Sequence, residues 1–88
     1  MSPKALDIAF KNAVKLINEH EEPFPADVLL RLYAYYKIAT KNEELPSGRK
    51  PLINAFKTNA LFQVRSMSED EAKKKYIETV DRYFLYRK

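Results

Sequence analysis

The sequence predicts an all-α fold, a four-helix bundle formed by a single domain that spans residues 1–88. Apolar side chains recur at spacings of three and four residues in four separate segments, which is the period of an amphipathic helix. Proline-containing or polar stretches separate these segments, and we find no convincing strand pattern. A single glycine among 88 residues also argues against a turn-rich β fold. Four helices with one apolar face each are expected to pack as a bundle.

The first helix is predicted to begin at Ser2, which would act as the N-cap, with Pro3 at the first helical position. Its apolar positions are Leu6, Phe10, Ala13, Val14 and Ile17. The helix should end before residues 20–25, because the two prolines of this linker cannot continue a helix. His20, the single histidine, lies among three glutamates. We therefore expect a solvated helix end there rather than a metal site or a general base.

The second helix is predicted over residues 26–40, with Asp27 placed to complement the helix dipole in the first turn. One sector of this helix combines apolar and aromatic residues with a lysine: Leu29, Leu30, Tyr33, Tyr36 and Lys37. Ile38 is predicted to point away from the main face, where it could contact another chain. Residues 41–50 form a polar loop that is long enough for a crossover rather than a simple hairpin.

The third helix is predicted to open at Pro51 and to close near residues 66–68. Its expected inner face consists of Ile53, Phe56, Ala60, Leu61 and Val64, with Lys57 in the middle. The fourth helix should begin with a capping box from Ser68 to Glu71, which also puts three acidic residues in the first turn. Its inner side is expected to carry Ala72, Tyr76, Val80 and Tyr83, with Ile77 and Phe84 beside them.

Composition excludes several classes of function. The chain has no cysteine, so it can form neither a disulfide nor a thiolate site. It has no apolar run of the length of a signal peptide or a membrane span, so we expect a soluble cytoplasmic protein. The net charge of +4 weakly favours an anionic partner, but acidic residues lie among the scattered basic ones, which argues against nucleic acid. No nucleophile–base spacing is evident, so we expect no enzymatic activity.

Two lysines, Lys37 and Lys57, each lie inside the apolar stripe of a different helix. One explanation is that their stems cover apolar surface while their ammonium groups reach water. The other is that a phosphate binds between them and forms charge-assisted hydrogen bonds. Tyr33, Tyr36 and Tyr76 lie on inner faces by periodicity and would add hydroxyl groups and a flat surface for a base. An adenine nucleotide with a phosphate would fit this set, but periodicity alone leaves both explanations open.

The second helix resembles the signature Tyr-x-x-Tyr-Lys-x-Ala-Thr of the acyl-CoA-binding protein family. Its residues run from Tyr33 through Tyr36 and Lys37 to Thr40. A second similarity runs from Ser68 through residues 69–72 to the Tyr-Ile pair at 76–77 and on to Val80. The spacing from Lys57 to Tyr76 also suits the family. The resemblance covers nearly the whole chain.

This resemblance implies an up-down-down-up bundle with a long crossover between helices two and three. It implies reversible binding of medium- and long-chain acyl-CoA esters by a cytoplasmic monomer that uses no cofactor and catalyses nothing. The ligand would be acyl-CoA, with CoA itself as a further candidate, and encounters with a membrane or an enzyme would be transient. By the same resemblance, Tyr33, Lys37 and Lys57 would hold the phosphorylated ribose, Tyr36 and Tyr76 the adenosine, and Leu29 and Leu30 the pantetheine and acyl chain.

The chain departs from the family pattern at several positions. Thr58 and Leu61 stand where the family usually has tryptophan, and the chain contains no tryptophan. The segment before the third helix is shortened to residues 47–51, and Asn18 occupies a position that is often basic. The alternative to a carrier is therefore a helical interaction module that kept the fold but lost acyl-CoA binding.

Overall fold

The protein is a bundle of four helices, described by a computed structural model over residues 3–41 and 51–86. The helices are α1 Pro3–Glu19, α2 Ala26–Ala39, α3 Pro51–Val64 and α4 Glu69–Tyr86. These bounds confirm the four predicted helices, although α3 ends at Val64, slightly before the predicted end near residues 66–68, and the described residues contain no strand. The expected cap at Ser2 and most of the predicted polar loop, residues 42–50, lie outside the described residues.

Side-chain hydrogen bonds explain where two of the helices begin or end. At the start of α4, Ser68 Oγ accepts a hydrogen bond from the Glu71 N–H at 3.1 Å, which confirms Ser68 as the predicted N-cap. At the end of α2, the Thr40 hydroxyl donates to the Tyr36 carbonyl at 2.8 Å. Lys41 follows with a φ of 56°, the left-handed conformation that commonly ends a helix.

Helices α1 and α4 run parallel to each other. Asp7, near the start of α1, forms an ion pair with Lys73, near the start of α4. At the other end of the bundle, the His20 ring, just past α1, lies 5.2 Å from the ring of Phe84 in the last turns of α4. Contacts between the two starts and between the two ends fix the parallel direction.

Helix α2 runs antiparallel to α4, and α3 runs parallel to α2. Lys41, just past α2, pairs with Glu69 at the start of α4 at 3.4 Å, and Phe24, ahead of α2, packs 4.7 Å from Tyr83 near the end of α4. Residues 65–68 span at most about 14 Å, so α3 ends close to the start of α4 and hence close to the end of α2. The order is therefore up-down-down-up, and α3 begins at the end of the bundle opposite to the one where α2 ends.

The buried core lies where α4 packs against α1 on one side and against α2 on the other. Its buried apolar residues come from these three helices: Leu6, Phe10, Ala13, Leu32, Ala34, Ala39, Ala72, Tyr76 and Val80. The predicted inner faces of α1 and α4 agree with this set. Val80 is the largest side chain that is fully buried among the described residues.

The prediction that Ile38 points away from the main face of α2, where another chain could contact it, is wrong. Ile38 is half-buried and packs against the core. The physical reason is that α2 contacts α4 as well as α3, so its buried surface is wider than the single face read from the sequence.

The predicted inner face of α3 is partly wrong. Ile53 and Phe56 are 43% and 52% exposed, whereas Lys57, Leu61 and Val64 are half-buried. Among the described residues α3 packs only on α2, so a narrow strip of it is covered. That strip is centred near Lys57 and Leu61, which leaves the rest of the apolar surface of α3 open.

Candidate functional site

The structure brings Lys37 and Lys57 to the same aromatic ring. Tyr33 and Lys37 lie one turn apart on α2, and the Lys37 Nζ is 5.6 Å from the centre of the Tyr33 ring. Helix α3 supplies Lys57, whose Nζ is 5.1 Å from the centre of that ring. The three predicted residues therefore form one cluster across the α2–α3 interface.

Burial distinguishes the two lysines. Lys37 is only 8% exposed, which is rare for a lysine, while Lys57 and Tyr33 are half-buried. An ammonium near the face of a tyrosine is attracted by the ring, typically by about 0.5–2 kcal/mol. Two ammonium groups at one ring also repel each other, and a doubly charged anion between them would relieve that repulsion. The cluster is thus suited chemically to a phosphate monoester.

A second cluster contains the two other predicted tyrosines. The Tyr36 ring lies 6.3 Å from Tyr76 and is stacked 6.1 Å from Phe10 of α1. Tyr36 is 41% exposed, whereas Tyr76 is only 4% exposed and meets Phe10 edge-on at 5.1 Å. Burial, with a smaller contribution from Tyr36, raises the pKa of Tyr76 to about 12. Tyr36 therefore offers the open ring surface, and Tyr76 supports it from within the core.

The two leucines predicted to line a common groove are separated in the structure. Leu29 is 47% exposed. Leu30 is half-buried and lines a groove of about 260 Å³ between α2 and α3, together with Phe56 and Val64 but without Leu29. Thr58 and Leu61, at the positions that depart from the family pattern, are both half-buried on α3.

A second groove, which Tyr36 borders, was not predicted from the sequence. It encloses about 350 Å³ between α1, α2 and α4, and its walls include Phe10, Val14 and Tyr36. Periodicity assigned Phe10 and Val14 to the core without indicating that they also border open space. Only the relative placement of α1 and α2 reveals this groove.

An ion pair at the edge of this groove was also missed. The Lys73 Nζ donates a hydrogen bond of 2.5 Å to Asp7 Oδ1. This hydrogen bond lowers the pKa of the Asp7 carboxyl and raises the pKa of the Lys73 ammonium. The pair fixes the start of α4 against the start of α1. No local sequence pattern predicts this ion pair, because its two residues are 66 positions apart in the chain.

The expectation of a solvated helix end holds for the three glutamates, which are exposed, but is wrong for His20, which is half-buried. Its ring lies 4.7 Å from Phe24, 5.8 Å from Tyr83 and 5.2 Å from Phe84, and its Nε2 is buried without a hydrogen-bond partner. Phe24 of the linker and the last turns of α4 cover part of the ring, which leaves His20 half-buried. In the described part of the chain, no group of three or more histidine and acidic side chains is placed to hold a metal ion. None of the described helices has the length and apolarity needed to cross a membrane.

Comparison with known proteins identifies the family. The sequence profile described as "Acyl CoA binding protein" matches residues 7–80. The chain is also 34% identical over 74 residues to the acyl-CoA-binding protein of Saccharomyces cerevisiae, an alignment that covers 82% of this chain and 85% of that relative. No solved structure gives a significant match to this chain. With four helices in the expected order and a profile match over most of its length, the chain belongs to the acyl-CoA-binding protein family.

Proposed function

We propose that this protein binds medium- and long-chain acyl-CoA esters reversibly and carries them in the cytoplasm. The observation that carries the proposal is the approach of the Lys37 and Lys57 ammonium groups to the Tyr33 ring, at 5.6 and 5.1 Å. Family membership supports the ligand class, since the related yeast protein is named for acyl-CoA binding. The same membership does not favour an interaction module that lost this ligand.

The phosphorylated ribose of CoA is the group we assign to the lysine cluster. Its phosphate would accept charge-assisted hydrogen bonds from Lys37 and Lys57, and Tyr33 would border the same position. The adenine would stack on Tyr36, because its ring is partly open to solvent. Tyr76 is a positioning residue in this proposal, since its buried ring lies behind Tyr36 and fixes its orientation.

The pantetheine and acyl chain would extend from this headgroup along the apolar surface of α2. Leu29 and Leu30 remain the proposed lining on that helix, although Leu30 borders the groove between α2 and α3 and Leu29 is exposed outside it. Thr58 and Leu61 offer less contact area than two tryptophans would, so we expect a weaker hold on the acyl chain than in family members with both aromatic residues.

The proposed role is binding without a chemical step. It requires no cofactor and no nucleic acid, and a monomer suffices because every proposed contact comes from one chain. Release of the ester would take place in transient encounters with a membrane or with an enzyme that uses the thioester.

Calorimetric titration with palmitoyl-CoA tests this function. We expect saturable binding of one ester per chain, with weaker binding of CoA and of free palmitate, because each control lacks half of the ligand. Absence of saturable thioester binding below about 100 μM, equivalent to about −5.5 kcal/mol, would refute the proposal. Binding of palmitate as tight as that of the thioester would also refute it, because the lysine cluster would then have no role.

A further inference from the structure

The groove between α1, α2 and α4 has a charged edge beside the open ring of Tyr36. Tyr36 and Phe10 form part of its wall, and Asp7, Lys11 and Lys73 border the same space of about 350 Å³. A planar group stacked on the exposed side of Tyr36 would therefore lie in one cavity with a carboxylate and two ammonium groups.

Both members of the ion pair between Asp7 and Lys73 keep hydrogen-bonding capacity. The Lys73 Nζ donates one of its N–H groups to Asp7 Oδ1, and a carboxylate can accept several hydrogen bonds. The Asp7 side chain is 50% exposed and that of Lys73 only 17%, so the carboxylate can be reached while the ammonium is held in place. The edge of the groove thus offers a hydrogen-bond acceptor next to a donor.

An acceptor beside a donor is complementary to one edge of adenine. Adenine has an exocyclic amine that donates hydrogen bonds, next to ring nitrogens that accept them. We propose that Asp7 and Lys73 select the base of the bound CoA: the Asp7 carboxylate accepts from the adenine amine, and the Lys73 ammonium donates to a neighbouring ring nitrogen. This inference rests on the proposed function, which stacks the adenine on Tyr36, and it adds a preference for adenine over other purines.

The Asp7 carboxylate also argues against a phosphate group as the occupant of this groove. Lys11 and Lys73 alone would attract the pyrophosphate of CoA, but a phosphate between them would approach Asp7, and like charges repel. A neutral base with an amine donor meets no such repulsion. Because Tyr36 follows Tyr33 by three residues on α2, the two side chains are neighbours on the helix surface. A nucleotide whose ribose phosphate binds at the lysine cluster can therefore place its base in the groove.

Calorimetry with palmitoyl-CoA and with its deaminated counterpart, in which hypoxanthine replaces adenine, tests the inference. Hypoxanthine has a carbonyl oxygen where adenine has the amine, so it would turn an acceptor towards the Asp7 carboxylate. We expect the wild-type protein to bind the adenine ester at least about tenfold more tightly. Asp7→Asn should reduce this preference to about twofold or less, because the asparagine amide can either accept from the amine or donate to the carbonyl oxygen.

Glu69→Gln is the matched control, because Glu69 pairs with Lys41 at 3.4 Å at the same end of the bundle but does not border the groove. It should keep the preference of the wild-type protein. The preference is a ratio of two affinities of one protein, so a partial loss of stability in a variant does not alter it.

Equal binding of the two esters by the wild-type protein, or an unchanged preference in Asp7→Asn, would overturn the inference. Stronger binding of both esters by Asp7→Asn would also overturn it, because the groove would then hold a phosphate. Equal and saturable binding of both esters would leave the proposed function intact. Failure of the wild-type protein to bind palmitoyl-CoA would instead refute the proposed function, and the assignment of the base with it.

Discussion

Removing the two cluster lysines separately and together gives the sharpest test of the headgroup assignment. Lys37→Met and Lys57→Met keep much of each aliphatic stem while removing the charge. A hydrogen bond to a charged group contributes about 1.5–3 kcal/mol. Lys37 is 8% exposed, so we expect the upper end, about 3 kcal/mol or a loss of roughly 150-fold in affinity. Lys57 is half-buried and solvent weakens its interaction, so we expect about 1.5 kcal/mol, or roughly tenfold.

The double variant should lose less than the sum of the two single losses. Both lysines approach one ring, and we expect them to share one phosphate. Residues that share a partner show coupling energies of at least about 0.5 kcal/mol in a double-mutant cycle. Strict additivity would place the two ammonium groups on different parts of the ligand.

Calorimetry with palmitoyl-CoA and with the palmitoyl ester of dephospho-CoA completes the assay. The second ligand lacks the ribose phosphate, so the wild-type protein should bind it about as weakly as the double variant binds palmitoyl-CoA. Lys15→Met is the matched control, because Lys15 is exposed and pairs with Glu19 at 3.9 Å on the outer side of α1. Thermal unfolding of every variant checks that the fold is kept. Unchanged affinity in both single variants would refute the headgroup assignment and favour lysines that merely cover apolar surface.

Three further predictions concern stability. Ser68→Ala should destabilise the protein by about 1 kcal/mol and lower Tm by several degrees, because the Glu71 N–H loses its acceptor. Ser66→Ala, on the N-terminal side of that cap, should have almost no effect in the same melts. Burial raises the pKa of Tyr76 to about 12, so the neutral phenol stabilises the fold fully below about pH 10, and this stabilisation is lost as the pH rises from 10 to 12. The free energy of urea unfolding should therefore depend less on pH in that window for Tyr76→Phe than for the wild-type protein. Parallel pH dependences of the two proteins would contradict the raised pKa of Tyr76. His20→Phe should raise Tm because it removes a buried nitrogen without a hydrogen bond, whereas His20→Ala should lower it through loss of the ring contacts; a drop in both would mean that the nitrogen is satisfied.

The helix bounds could be predicted because local chemistry determines them. Pro3 and Pro51 stand at the first positions of their helices, and Ser68 caps α4 through its own hydroxyl. Such signals act within a few residues and do not depend on the rest of the fold. The same holds for the placement of Lys37 within an apolar sector of α2.

The wrong predictions concern burial, which depends on which helices pack against each other rather than on local sequence. Ile38 is covered because α2 has neighbours on two sides, and Phe56 is exposed because α3 has one neighbour among the described helices. The polarity of His20 and its three glutamate neighbours predicts a solvated helix end, but Phe24 of the linker and Phe84 of α4 pack against the His20 ring. The pair between Asp7 and Lys73 needs α1 and α4 in register, which a single sequence does not encode in any local pattern.

The attachment of α3 through one interface has a consequence for local unfolding. A helix that buries little apolar surface opens at a lower free energy than the rest of its domain, and its amide hydrogens exchange accordingly faster. Lys57 belongs to this helix and Lys37 to the better-anchored α2. An anion bound by both would link the two helices and suppress the opening of α3. Ligand occupancy would then be recorded as slower hydrogen exchange along Pro51–Val64, well beyond the atoms that touch the ligand.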